Sequence, residues 1–172
     1  SSGITDLTGI EAFTGITQLS CHNNLLTSLN LSANTSLFAI DCGYNQLTSL
    51  DVSSNTALVY FTCRQNLLTS LDISANSLLA ELYCYNNQLT SLDASNNPLI
   101  TDLDCYENQI TSLNVTGLTA LTYLEVHANQ LTTIDVSTNS ALEHLYVEQN
   151  QLTSLDVSLN PTLHRVECYD NQ

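Results

Sequence analysis

Six cysteines, four histidines and 17 acidic residues are the side chains of this 172-residue sequence that could carry chemistry. The cysteines share one register of 21 residues: Cys21, Cys42, Cys63, Cys84, Cys105 and Cys168. Val126 and Val147 fill the two positions of this column that lack a cysteine. Because valine is accepted there, the column is an apolar core position in which cysteine serves as a small hydrophobic residue. No C-x-x-C spacing is present, so the cysteines do not predict a zinc site.

The same column also bears on disulfide bonding. Cysteines in neighbouring strands of a parallel sheet lie about 4.8 Å apart at Cα, which is within the range that disulfides span. In-register side chains, however, keep their Cβ atoms at about that distance and do not converge, which is unfavourable for a bond. We therefore predict free, buried thiols, from which the redox compartment cannot be inferred.

Catalytic and metal chemistry receive little support from the remaining residues. His127 and Glu148, or His144 and His164, could meet on neighbouring repeats. On a flat, solvent-washed sheet nothing would exclude water or tune a pKa. G-x-S-x-G, H-E-x-x-H and EF-hand patterns are absent. The sequence therefore predicts no catalytic residue, no metal ligand set, no cofactor and no enzymatic activity.

A 21-residue repeat determines the elements that position these side chains. Four leading residues and eight units of 21 account for all 172 positions, which predicts a single domain. Each unit has two halves, for example LTSLDVSSNTA (47–57) and LVYFTCRQNL (58–67), and both alternate apolar and polar residues. Period-two alternation predicts a short strand in each half. An asparagine near the end of each half suits a turn and, stacked on its copies, a hydrogen-bonded ladder.

The pattern L-x-x-L-x-C/V-x-x-N-x-L in these units resembles the leucine-rich repeat (LRR). The nested L-T-S-L-D-V-S half resembles the bacterial 21-residue class called IRREKO. The resemblance implies an α/β-class LRR solenoid that is nearly all-β here: a right-handed coil of eight repeats, with parallel strands on both sides and low curvature. It also implies a bacterial protein that is secreted or displayed on the cell surface.

The resemblance divides the single domain, residues 1–172, into a first unit and regular repeats. Residues 1–25 resemble the cap that opens internalin-like arrays, with Leu7, Ile10, Phe13 and Ile16 at steps of three. Residues 26–172 form seven regular repeats, and we expect their C-terminal end to be uncapped. An open end favours fraying or end-to-end self-association, because solenoid ends need a polar cover.

Net charge restricts the partners. Seventeen acidic residues are opposed by only two arginines, giving a formal net charge of −15. Such a surface repels nucleic acid and anionic lipid, and no apolar run is long enough for membrane insertion. A basic partner is favoured, although acidity can also serve solubility alone.

The two halves differ in how much their outward positions vary. In the first half threonine and serine recur almost unchanged, and Asp51, Asp72, Asp93, Asp135 and Asp156 are interpreted as turn-stabilising residues. In the second half, 40 outward positions hold all eight tyrosines, all four histidines, both arginines and ten of the 17 acids. Tyrosine simply packing on an exposed sheet is the alternative explanation, but the opposite side uses threonine and serine instead.

We predict that recognition is concentrated in the middle and late repeats. The candidate ligand-binding residues are Tyr60, Tyr83, Tyr85, Asp102, Asp104, Tyr106, Tyr123, Glu125, His127, Tyr146 and Glu148. The leading hypothesis is a binding or adhesion module for a protein ligand. Polysaccharide binding is the alternative, with Tyr85 and Tyr106 as a stacking platform, and a purely architectural spacer in a larger surface protein is the third.

Overall fold

A computed structural model describes residues 3–172 of the chain as a solenoid built on one parallel sheet. The strands of its described residues are β1 (Gln18–Ser20), β2 (Ala39–Asp41), β3 (Tyr60–Thr62), β4 (Glu81–Tyr83), β5 (Ser91–Asp93), β6 (Asp102–Asp104), β7 (Ser112–Asn114), β8 (Tyr123–Glu125), β9 (His144–Tyr146) and β10 (Arg165–Glu167). Eight of them, one per repeat, form the main sheet in the order β1-β2-β3-β4-β6-β8-β9-β10. Each pairs with the residues 21 positions away, as Leu82 does with Leu103. The nearly all-β solenoid expected from the repeat is confirmed.

The core is a stack of equivalent layers. The middle residue of each strand points inward, and Phe61, Leu82, Leu103 and Leu124 are fully buried there. The cysteine column lies one residue beyond each strand's end, and all six thiols are free. Five are buried as predicted, but Cys168 in the last unit is exposed. The two valines of the column, Val126 and Val147, are fully buried, which confirms an apolar slot.

A first asparagine ladder ties each turn of the chain to the one before it. Asn45 Nδ2 donates to the carbonyls of Cys21 and Cys42, both at 3.0 Å, while its Oδ1 accepts the N–H of Leu26 at 3.0 Å. The equivalent asparagines repeat this pattern along the solenoid. The residue before each ladder asparagine has a left-handed backbone, and none of these eight is glycine. The turn is costly for most side chains, so the ladder bonds help to hold it.

A second ladder runs along the opposite side. Asn76 is fully buried and its Nδ2 donates to the carbonyls of Val52, at 3.1 Å, and Asn55, at 2.9 Å. The same arrangement holds at Asn34, Asn55, Asn97, Asn139 and Asn160. Leu118 replaces asparagine in one unit and is fully buried, so the slot also accepts an apolar side chain.

The aspartates of the first half stabilise turns. Asp51 Oδ1 accepts the N–H of Ser53 at 2.9 Å, and Asp72, Asp93, Asp135 and Asp156 bond their own serines two residues ahead in the same way. These bonds lower the pKa of all five aspartates. The interpretation of these aspartates as turn-stabilising is therefore confirmed.

Regular strand pairing on this second side is restricted to one place, where β5 pairs with β7 in parallel. In the other described units the first halves form no strands, and shallow notches lie between consecutive turns, as at Ser49, Asp51, Ser70 and Asp72. Parallel strands on both sides are thus found over two repeats only. Asparagine-ladder and Asx-turn bonds are present in first halves with and without strand pairing.

The first unit differs from the regular repeats. A single 3-10 turn (Ile10–Ala12) replaces the first-half segment, and Leu7 and Ile16 pack against the core. Phe13, which the spacing of three had grouped with them, is exposed. Within residues 3–172 no helix is long and apolar enough to cross a membrane.

The second ladder predicts a large stability loss on Asn76→Ala. The change removes two buried hydrogen bonds, to the carbonyls of Val52 and Asn55, although each carbonyl keeps one backbone donor, and it should lower the free energy of unfolding by about 1–3 kcal/mol. Urea denaturation measures the loss. Leu118 occupies the equivalent position of another repeat. Asn76→Leu should therefore fill the space without restoring the hydrogen bonds, and should recover only part of the lost stability. As a control, Ser70→Ala at an exposed position should change the free energy of unfolding little. A loss below about 0.5 kcal/mol for Asn76→Ala would show that the ladder does not stabilise the fold.

The cysteine column predicts two classes of thiol. Burial raises the pKa of Cys21 to about 11 and of Cys84 to about 12, so these thiols are unreactive in the folded state. Without reductant, a thiol reagent should modify Cys168 rapidly in the native chain and all six thiols in denaturant. Cys168→Ser should remove the fast class. Two or fewer thiols in denaturant would instead mean that the column is cross-linked.

Candidate ligand-binding face

The variable face is defined here as the outward side chains of the eight-stranded sheet together with the residues directly after the cysteine column. All 11 predicted site residues lie on it. Six occupy the first or last position of β3, β4, β6 or β8, and Tyr146 ends β9. Tyr85, Tyr106, His127 and Glu148 follow the cysteine column in consecutive repeats. Since every strand is in register, residues of one column lie one strand spacing apart along the solenoid.

Three rings of one column form a continuous stack. The Tyr85 and Tyr106 centroids are 4.3 Å apart with an interplanar angle of 10°, and those of Tyr106 and His127 are 4.5 Å apart at 11°. Arg64, the preceding member of the column, places its guanidinium carbon 5.9 Å from the Tyr85 centroid. Each ring face in the interior of the stack therefore contacts another side chain.

A second aromatic group lies along the other columns of the face. Tyr123 is tilted against His144, with centroids 5.7 Å apart, and against Tyr146 at 5.4 Å. Tyr60 and Tyr83 form a similar tilted pair at 5.7 Å. Two of these hydroxyls donate to carboxylates of their own strands, Tyr83 to Glu81 at 2.9 Å and Tyr123 to Glu125 at 3.3 Å. These bonds orient the rings before any ligand binds.

Asp104 and Glu125 are register partners at the ends of β6 and β8. Burial, followed by the negative charges of Glu125 and Asp102, raises the pKa of Asp104 to about 7. Burial also raises the pKa of Glu125, and His127 opposes this shift. Asp104 Oδ1 is buried and makes no hydrogen bond. Two carboxylates are thus held together at an energetic cost that the fold does not relieve.

His127 lies between two carboxylates. Its Nδ1 is 3.5 Å from Glu125 Oε1 and 3.7 Å from Glu148 Oε1, without an aligned hydrogen bond. Glu148 is only 5% exposed, and its Oε2 has no partner. A buried carboxylate oxygen without a donor is expensive, because it has given up hydration and received nothing in return.

Solved structures with the same architecture show what the chain is similar to. A functional domain of InlJ from Listeria monocytogenes, described as including a cysteine ladder, is 46% identical with a TM-score of 0.96. The match covers 99% of this chain and 38% of that one. The chain is a leucine-rich-repeat solenoid. It has a column of five buried cysteines of its own.

Two further internalins of Listeria monocytogenes support the same LRR fold. InlF is 26% identical with a TM-score of 0.87 over 99% of this chain and 53% of its own. Internalin C2, at 21% identity and a TM-score of 0.84, covers 99% of this chain and 77% of its own. No protein-family model and no curated protein matches the chain. This chain spans 38% of the InlJ structure and 53% of the InlF structure. The activities and partners of those whole proteins are therefore not assigned to it.

The structure corrects the expectation of a flat, solvent-washed face. Tyr146 and Glu148 are buried, and Asp104 is largely shielded from solvent, so the face does tune a pKa. The sequence pattern placed these side chains outward but could not show that their neighbours cover them. Tyr85 and Tyr106, which the alternative hypothesis used as a sugar-stacking platform, stack on each other through their faces.

Some residues of the variable face were not among the predicted site residues. Arg64 lies over both Tyr44 and Tyr85, with its guanidinium carbon 5.4 Å and 5.9 Å from the two centroids. Arg165 lies over Tyr146 at 5.2 Å and bonds Glu167. Arg64 shares a column with Tyr85, and Arg165 shares a column with Tyr123. These shared columns are the sequence signal that could have identified both arginines. One group of three metal-ligating side chains, Glu143, His144 and His164, also comes together within the described residues.

The raised pKa of Asp104 predicts an unusual pH dependence. The unfolded carboxyl ionises near 3.8 and the folded one near 7, so between these values the folded state holds a proton that the unfolded state has lost. Stability from this group is therefore present at low pH and is lost as the pH rises towards 7. Asp104→Asn should raise the free energy of unfolding at pH 8 by on the order of 1 kcal/mol, with little gain at pH 4.

Urea denaturation at pH 4, 6 and 8 checks this difference. Asp72→Asn is the matched control with the opposite sign: its pKa is lowered by the bond to Ser74, so its loss should destabilise the protein at pH 8. The titratable groups close to Asp104 are Asp102, Glu125, Tyr83, Tyr106, Tyr123 and the buried thiols of Cys84 and Cys105. If Asp104→Asn retained the wild-type dependence between pH 4 and 8, the assignment to Asp104 would be wrong.

Proposed function

We propose that the chain is a non-enzymatic protein-binding or adhesion module that docks its ligand on the variable face between β4 and β9. The ligand presents a lysine or arginine side chain to the carboxylates of Asp104, Glu125 and Glu148. The observation that carries the proposal is the pair of buried, unpartnered carboxylate oxygens on Asp104 and Glu148, beside a ring stack. These are the groups that an incoming cation would satisfy.

The energetics favour a cationic contact. Asp104 and Glu125 repel each other, and a positive charge between them would relieve the repulsion and lower the raised pKa of Asp104. Charge-assisted hydrogen bonds to buried carboxylates are about twice as strong as neutral ones. A net charge of −15 would in addition accelerate encounter with a basic partner. Binding should therefore weaken as ionic strength increases.

The aromatic geometry favours a protein over a polysaccharide. Sugar rings stack on exposed aromatic faces, whereas the faces within the Arg64–Tyr85–Tyr106–His127 stack contact one another. What remains accessible is a row of ring edges, a hydrogen-bonding and contact surface of the kind that tyrosine-rich protein interfaces use. A rigid stack also loses little side-chain entropy on binding.

The similarity to Listeria internalins supports a place on the bacterial surface or outside the cell. The proposal takes no ligand over from InlJ, because the match covers only 38% of InlJ. The repetitive first-half surface, with its invariant threonines and structural aspartates, serves as scaffold in this proposal.

Binding to arrayed extracellular protein domains and arrayed glycans tests the proposal. We expect protein ligands to be retained by the wild-type chain and lost by Tyr85→Ser/Tyr106→Ser and by Asp104→Asn/Glu148→Gln. Each pair removes contacts of the kind that contribute about 2 kcal/mol or more at interface centres, equivalent to a loss of at least about 30-fold in affinity. Biolayer interferometry on the array hits measures the loss, and thermal melts verify folding.

Two controls separate the site from general effects. Glu107→Gln/Asp170→Asn removes two exposed negative charges from the same side and should weaken binding only modestly. Thr48→Ser/Thr69→Ser/Thr90→Ser/Thr111→Ser alters the repetitive side and should leave binding intact. Loss of binding in the threonine variant alone would place recognition on the other side. Glycan hits without protein hits would favour the polysaccharide alternative, and no hits in either array would favour the architectural spacer.

A further inference from the structure

Three side chains with metal-binding atoms converge at the C-terminal part of the variable face. Glu143 and His164 hold the same position in consecutive repeats, directly before β9 and β10, and His144 is the first residue of β9. One ligand atom from each of the three lies within 4.8 Å of the others. Glu143 Oε2 and His164 Nε2 are 3.8 Å apart, and the two imidazole centroids are 5.3 Å apart at 74°.

The donor set has a clear chemical preference. Two imidazole nitrogens and one carboxylate oxygen are ligands of zinc and its neighbours in the transition series, whereas calcium and magnesium prefer oxygen alone. Tetrahedral zinc with bonds of about 2.0–2.2 Å brings ligand atoms to about 3.3 Å from one another. The Glu143 and His164 side chains are 46% and 63% exposed, so they can rotate by this small amount without disturbing the core.

The backbone of the site is already fixed. The amides of Glu143 and His144 both donate to the Thr122 carbonyl, at 2.8 and 3.0 Å, and the His164 amide donates to the Glu143 carbonyl at 3.1 Å. The His144 ring is parallel to Tyr146 and tilted against Tyr123. Its Nδ1 is buried and makes no hydrogen bond, so the imidazole has coordinating capacity that the protein does not use.

We propose that Glu143, His144 and His164 bind one Zn²⁺ ion, leaving a fourth coordination position open to water or to a donor atom of a bound molecule. The other two histidines differ. His22 has one carboxylate partner, Asp41 at 3.2 Å. His127 lies between Glu125 and Glu148, but within the described residues these three do not bring one ligand atom each within 4.8 Å of one another. The zinc site uses none of the residues that carry the proposed protein-binding function, so each proposal can fail without the other.

Zinc titration of the 172-residue chain at pH 7.4, against a competing chromophoric chelator, tests the site. We expect one equivalent bound with micromolar affinity or tighter. His164→Ala, Glu143→Gln and His144→Ala should each weaken binding tenfold or more, since three ligands are the minimum for such a site. His22→Ala is the matched control and should bind as the wild type does. Substitution with Co²⁺ should give the visible absorption of a four-coordinate ion, and excess Ca²⁺ should not displace it.

Circular dichroism verifies that the variants fold. Glu143→Gln and His164→Ala should perturb folding least, because the two side chains are 46% and 63% exposed. Three results would overturn the proposal. These are no uptake of zinc in the micromolar range, wild-type affinity in Glu143→Gln and His164→Ala, or an equal loss in His22→Ala, which would indicate adventitious binding.

Discussion

The buried asparagine ladders are the interaction that holds the repeats in register. Each ladder asparagine bonds backbone groups of its own repeat and of the preceding one, as Asn45 does with the Cys42 and Cys21 carbonyls. The amide therefore sets the spacing between turns as well as satisfying groups that the turn leaves unpaired. Eight non-glycine residues adopt a left-handed backbone beside this ladder, a conformation that such turns hold only against strain. A chain of 21-residue units cannot slip in register without breaking every one of these bonds.

That fixed register explains why the variable face is both ordered and strained. Residues of one column are held at strand spacing whatever their type, so rings meet rings and carboxylates meet carboxylates. Stacking of Tyr85, Tyr106 and His127 is a favourable result of this constraint. The placement of Asp104 beside Glu125 is an unfavourable one, because the charge of Glu125 adds to the effect of burial in raising the pKa of Asp104. Functional sites are where proteins commonly keep such strain.

The proposed zinc site and the carboxylates of Asp104, Glu125 and Glu148 both result from the fixed register of the repeats, in different ways. Glu143 and His164 meet because they share a column, and His144 joins them because it is the next residue along the strand. Asp104 instead lies beside Glu125, its register partner, and His127 lies between Glu125 and Glu148. In both places a repeated backbone brings together side chains that are far apart in sequence, which is how a solenoid builds sites without a deep pocket.

The fold, the columns and the face on which variation is concentrated could all be predicted from the amino-acid sequence. A period of 21 residues is an unambiguous signal, and alternation identifies which positions point inward, so the assignment of the cysteine column to the core is correct for five of its six thiols. Cys168 is the exception, because no further repeat covers it within the described residues. The turn aspartates were recognised for a related reason, since their bonds are local.

The arrangement of the outward side chains, by contrast, depends on contacts that only the folded chain makes. Alternation cannot show that Tyr146 and Glu148 are covered by their neighbours, or that Tyr85 and Tyr106 present edges because their faces stack. Nor could it restrict strand pairing on the second side to β5 and β7. Rotamers and side-chain burial depend on contacts between repeats, and such contacts are non-local even when the repeat itself is plain in the sequence.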